Sequence, residues 1–182
     1  MVNEASDPVL LSLLGDFHRV KGDTKRAKEF YEKALKVSPK YARVLASLAE
    51  LLTGNGDIKS GYELAKKAYD IKPEDPDISY IFGRSLYLSG DYKWALTLFQ
   101  EPSLKQTDDP EVLYDLGMSA YALGRVFEAK RAVEKGLLSG KAFSRTEEAN
   151  RFLEMIALSE DLMRAVAEQS KVEEILSTDP DY

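Results

Sequence analysis

The chain contains no cysteine and a single histidine in 182 residues. Disulfides, thiol nucleophiles and a soft-ligand metal cluster are thereby excluded, and neither metal nor cofactor is expected. No stretch approaches the roughly 18 consecutive apolar residues of a membrane-spanning helix. The start, Met-Val-Asn-Glu-Ala-Ser-Asp-Pro, lacks the basic and apolar segments of a secretory signal. Membrane insertion is not expected; the compartment stays open, with the cytoplasm favoured. Basic residues are in deficit, 25 Lys and Arg against 31 Asp and Glu, for a net charge of -6. A nucleic-acid partner is disfavoured, because phosphate binding rests on concentrated Lys and Arg.

What the chain does have is a repeat. Gly15, Gly83 and Gly117 are each followed twelve residues later by Ala27, Ala95 and Ala129, and the turns Gly22-Asp23, Gly56-Asp57 and Gly90-Asp91 keep the same step of 34 residues. A period of this length marks a solenoid, in which neighbouring units stack into one elongated core. Function is then expected on a surface, not in a pocket of reactive groups.

Each unit reads as two helices joined by a turn. Asp7-Pro8, Asp75-Pro76 and Asp109-Pro110 pair a capping carboxylate with a proline suited to a first helical turn. Gly22, Gly90 and Gly124 follow those prolines by fourteen residues and end the first helix, and Asp23 and Asp91 cap the second. Four units follow without insertions, at 8–41, 42–75, 76–109 and 110–143, after a lead-in at 1–7. Ser144-Arg145-Thr146-Glu147 matches a capping box, and allowing two extra residues places a fifth unit at 146–179. That register puts Asp161 and Ala165 at the repeat's cap and small-residue positions. Glu160 stands where a turn glycine is expected, so the two helices are expected to meet at a kink. Asp179-Pro180 then reads as the opening of a further unit at 180–182, which makes the chain a segment of a longer protein.

Leu14-Gly15, Gly22-Asp23, Ala27, Tyr31, Ala34-Leu35 and Pro39 in the first unit resemble the tetratricopeptide repeat family, and the resemblance covers roughly residues 8 to 179. It implies an all-α fold, a right-handed superhelical solenoid of about five antiparallel helix pairs. Departures are local: Gly61 replaces an alanine, and Pro102 and Gly136 occupy a small-residue position. A proline inside a helix costs about 3 kcal/mol, so the second helix of unit three is expected to end near Gln100, with looser stacking onto unit four.

Signals for chemistry are weak. His18 falls where the family packs an aromatic, and it has no accompanying nucleophile or oxyanion motif. Gly136-Leu137-Leu138-Ser139-Gly140-Lys141 is one residue too short for a phosphate loop and follows a helix, so it reads as a helix end. Gly54-Asn55-Gly56-Asp57 lacks the alternating oxygen ligands of a calcium loop. No enzyme activity is expected.

The resemblance also implies which residues face the concave side of the superhelix: the second, fifth, ninth, twelfth and thirteenth of each first helix. In units three and four these are Asp77, Tyr80, Arg84, Tyr87 and Leu88, then Glu111, Tyr114, Met118, Tyr121 and Ala122. Tyrosine and arginine are enriched at binding hot spots, and methionine adapts to varied side chains. Elsewhere along the groove stand Asp16, Arg19, Arg43, Glu50, Glu147 and Glu154. The carboxylate clamp used by members that grip acidic tails is missing, since its positions hold Ser12, Asp16, Ser47, Asp77 and Ile81. The expected role is a non-catalytic scaffold that holds an extended peptide or helix of basic or aromatic character. The alternative is a rigid spacer or self-association segment of a larger assembly, with contacts made end to end.

Overall fold

The computed structural model describes residues 7–101 and 108–178. Among them are α1 (Pro8–Val20), α2 (Thr24–Val37), α3 (Ala42–Gly54), α4 (Ile58–Ile71), α5 (Pro76–Leu88), α6 (Tyr92–Phe99), α7 (Pro110–Ala122), α8 (Val126–Leu138) and α9 (Thr146–Thr178). Caps set the starts. Asp7, Asp75 and Asp109 accept backbone N–H bonds from the first turns of α1, α5 and α7, and Asp23, Asp57 and Asp91 do so for α2, α4 and α6. Arg125 caps α8 without a side-chain bond.

Left-handed glycines set the turns. Gly22, Gly56, Gly90 and Gly124 have φ of 75°, 89°, 88° and 75°. That conformation brings the next N–H back to a carbonyl five residues earlier: Asp23 to His18, Asp57 to Leu52, Asp91 to Leu86, Arg125 to Ala120. The chain reverses, and the helices pair antiparallel into a helical-repeat solenoid.

The core is continuous along the row because each cluster draws on adjacent units. Ala27, Tyr31 and Ala34 pack with Val44, Leu48 and Leu51, while Phe82, Leu86, Leu98 and Phe99 pack with Ala49 and Ala65 on one side and Val112 on the other. Small residues at the helix crossings allow this. A methyl at Gly15 would overlap the Tyr31 ring, and one at Gly83 would lie 2.8 Å from Phe99 Cε1.

The second helix of unit three ends near the expected residue: α6 stops at Phe99 with Gln100 at its C-cap, and Pro102 lies outside the described residues. Apolar contact nevertheless crosses to the next unit, with Leu96 joining Ala120, Ala129 and Val133.

The last element differs from expectation. α9 is one uninterrupted 33-residue helix, not a hairpin with a kink. A Cβ at Glu160 disfavours the left-handed backbone that the turn glycines adopt elsewhere, so the helix continues. Asp161, expected to cap a second helix, lies inside α9 and pairs with Arg164 at 3.6 Å. Leu153 also occupies the position of Gly15, Gly83 and Gly117, where a large side chain holds a partner helix away. Ala149, Phe152 and Ile156 bury one face of the first half of α9 against α7 and α8. Asp179 and Pro180 lie outside the described residues.

The crossing geometry makes two substitutions diverge. Gly83→Ala should destabilise the fold by about 1–3 kcal/mol because its methyl meets an aromatic ring. Gly54→Ala, in a helix position with open space around it, should be neutral or stabilising by up to about 1 kcal/mol. Guanidinium denaturation of both variants separates them; coincident midpoints would contradict the packing account.

Candidate functional site: the concave face

The inner positions of α1, α3 and α5 line one cleft. Its two compartments have volumes of about 320 Å³ each and share Arg19, Glu50, Tyr80 and Ile81. The first adds Thr53, Gly54, Arg84 and Leu88; the second adds Asp16, Arg43, Ala46 and Asp77. The helical repeat explains the alignment: side chains three and four apart share a face, and stacking brings equivalent faces of successive first helices side by side.

Charges on this face cross from helix to helix. Arg19 Nη1 lies 3.3 Å from Glu50 Oε2, and Arg43 Nη2 lies 3.9 Å from Asp16 Oδ2. Asp16 also accepts a 2.7 Å bond from the hydroxyl of Tyr31, which sits inside unit one. Burial and then the Asp16 carboxylate push the Tyr31 phenol up to about 12. Both Arg–carboxylate pairs are solvent-accessible, so each contributes little to stability and remains available to exchange for a ligand.

Unit four is different because the chain fills its own groove there. Asp115 is 1% exposed and accepts from Tyr80 Oη at 2.9 Å, from Arg145 Nη1 at 2.5 Å and from Arg145 Nη2 at 3.1 Å. The same guanidinium donates to Glu111 Oε2 through Nε at 2.9 Å and Nη2 at 2.6 Å, and lies 4.6 Å above the Tyr114 ring. Ser144, the expected capping-box residue, instead donates through its N–H and hydroxyl to Glu111 Oε1. Burial and then Asp115 raise the Tyr80 phenol far above its ordinary value. Burial acts to raise Glu111, but the bonds from Ser144 and Arg145 outweigh it and hold its carboxyl below the usual glutamate range.

The sequence-predicted residues therefore divide. Asp77, Tyr80 and Arg84 line the open cleft, while Glu111 and Tyr114 hold Arg145. Tyr87 is half-buried with its ring 5.5 Å from Tyr92, and Tyr121 meets Phe152 edge-on at 5.1 Å. Met118 packs into the cluster of α7, α8 and α9. Asp115 is the residue the groove pattern missed. Its signal was available: an aspartate stands where the other units hold Leu13, Ser47 and Ile81, and a buried carboxylate requires a partner.

His18 stacks on Phe30 at 5.3 Å and lies 3.6 Å from Asp23, a packed position. Lys141 pairs with Asp108 past the end of α8. No group of three or more His, Cys, Asp or Glu side chains arranged for a metal ion occurs among the described residues, and no helix among them is long and apolar enough to cross a membrane.

The tetratricopeptide repeat profile matches residues 3–122, about two thirds of the chain. This protein belongs to the tetratricopeptide repeat family. A crystal structure of the MamA protein is similar at a TM-score of 0.67 and 22% identity, covering 90% of this chain and 88% of that one. MamA from Desulfovibrio magneticus reaches a TM-score of 0.70 at 17% identity, covering 96% and 97%. TTC0263, a tetratricopeptide repeat protein of Thermus thermophilus, reaches 0.65 at 20%, covering 82% of each chain. At these identities the likeness shows the fold alone. A search of curated proteins gives no match. The tetratricopeptide repeat fold is, in general, a protein–protein interaction scaffold.

Removing one partner of the buried pair should be costly. Arg145→Ala leaves Asp115 under-compensated and should destabilise by about 3 kcal/mol, while Tyr80→Phe, which keeps the ring, should lose about 1.5 kcal/mol. Because the folded Glu111 carboxyl is depressed, its stabilisation is present above the unfolded value and disappears as pH falls through the folded one. Wild type should therefore lose more stability than Arg145→Ala as pH falls through and below the usual glutamate range. Denaturant titrations across that range check both; parallel pH curves would contradict the assignment.

Proposed function

We propose that the chain is a non-catalytic scaffold that holds an extended peptide or a helix of another protein in the part of its concave groove formed by α1, α3 and α5. The observation that carries this reading is the coincidence of the two-compartment cleft with the inward positions of three successive first helices. Asp16, Glu50 and Asp77 supply carboxylates along its floor and rim. Tyr80, Ile81 and Leu88 supply apolar area, and Arg19 and Arg84 supply forked donors for backbone carbonyls.

Such a lining suits a segment with basic and aromatic side chains. An acidic tail would meet four carboxylates, Asp16, Glu50, Asp75 and Asp77, against Arg19 and Arg43 in the second compartment. Arg145 closes the groove at unit four, so the ligand lies over units one to three, and Tyr114 and Glu111 act from beneath by holding that end in place.

Peptide display against the immobilised chain tests the reading. Selected peptides should be enriched in Lys, Arg and aromatic residues, and Arg84→Ala and Leu88→Asp should each weaken them by about 2 kcal/mol with the helical content unchanged. Selection of acidic C-terminal tails, or affinity indifferent to both substitutions, would overturn it.

A further inference from the structure

The first helix of the row carries an apolar stripe whose Leu10 and Phe17 positions are buried in every counterpart helix. Leu10 is 41% exposed, while the residues at the same repeat position, Val44, Ile78 and Val112, are 0%, 3% and 6% exposed. Those three are covered by the preceding helix pair; Val44, for example, clusters with Ala27, Tyr31 and Ala34. Along the same face of α1, Leu13, Phe17 and Val20 are also exposed, Val20 to 82%. Lys21 Nζ lies 4.6 Å over the Phe17 ring at one end of the stripe.

Toward the opposite end of the row, the middle of α9 carries a second exposed apolar line. Leu158, Leu162 and Val166 are exposed and, with the half-exposed Met155, form a line about a third of a turn around the helix from the face that Ala149, Phe152 and Ile156 bury. At 1.5 Å per residue, the α1 stripe from Leu10 to Val20 and the α9 stripe from Met155 to Val166 are each roughly 15–17 Å long.

Charge distinguishes the two ends. α2, which flanks the α1 stripe, carries Lys25, Arg26, Lys28, Lys33 and Lys36 against Glu29 and Glu32. Beside its exposed line α9 carries Glu154, Asp161 and Glu168 against Arg164, while Glu160 is held by Lys130 of α8 at 2.8 Å. Two copies of α9 would bring like charges together, whereas α9 on the α1–α2 end brings opposite charges together.

We propose that the partner of each end is a second copy of this chain, with the Met155–Val166 line of α9 from one copy seated on the Leu10–Val20 stripe of the next. The contact is heterologous, so it leaves a free head and a free tail on every assembly and propagates in a row with rising concentration. It shares with the concave side only the position of Val20, the equivalent of Gly54 and Leu88, and stands apart from the peptide-binding reading.

Sedimentation velocity on the 182-residue chain over a concentration series tests it. Wild type should form a concentration-dependent ladder that weakens with added salt. Phe17→Glu and Leu162→Glu, at exposed positions, should each weaken association by about a hundredfold with circular dichroism unchanged; Val20→Glu serves if Phe17→Glu disturbs the fold. Mixing Phe17→Glu with Leu162→Glu should restore a single intact interface and stop at a heterodimer. A wild type that stays monomeric, or a dimer that persists in Phe17→Glu and Val20→Glu but is lost in Leu162→Glu, would overturn head-to-tail pairing, the latter in favour of α9 pairing with α9.

Discussion

The distance at which paired helices cross governs everything built on them. Where Gly15, Gly83 or Gly117 stands on the first helix, the second can place Tyr31, Phe99 or Val133 directly against its backbone. Close crossing lets each pair present a flat apolar side to the next, and the core becomes a row of overlapping clusters. Unit two reaches the same end by moving the small residue to the other helix, at Gly61, where a Cβ would meet Thr53 and Ala49. Leu153 removes the small residue from the fifth position, and the pairing stops there.

Stacking at this distance creates the concave face and also sets its limit. The inner edges of α1, α3 and α5 form a cleft whose arginine–carboxylate pairs are exposed and exchangeable, and whose walls are held by Tyr31 on Asp16 and Tyr80 on Asp115. At unit four the same geometry would leave the buried Asp115 carboxylate with only the Tyr80 hydroxyl at 2.9 Å and Arg84 at 3.9 Å. Arg145 completes the compensation through two bonds to Asp115. The polar network thus joins α5, α7 and the start of α9, and ends the open groove.

Most of the fold was legible in the residues. Asp-Pro caps, Gly-Asp turns and the 34-residue step are local signals whose effect depends on backbone conformation alone. The end of α6 near Gln100 was also anticipated from the sequence. The site was legible only in part. The two-residue insertion before the fifth unit, Ser144 and Arg145, was visible as an irregularity, but its role was not. Ser144 looked like a helix cap and is a ligand of Glu111; Glu111 and Tyr114 looked like groove residues and hold Arg145.

By itself the sequence determined helix starts, turn positions and the small-residue crossings, because each follows from the steric and hydrogen-bonding demands of a few neighbouring residues. Tertiary structure alone decided that α9 continues without a turn, that Arg145 binds Glu111 and Asp115 at unit four, and that Leu10 to Val20 on α1 and Met155 to Val166 on α9 include exposed apolar lines. Those outcomes depend on which distant side chains meet, and on whether a neighbouring helix is present to bury a face. Local pattern carries no such information.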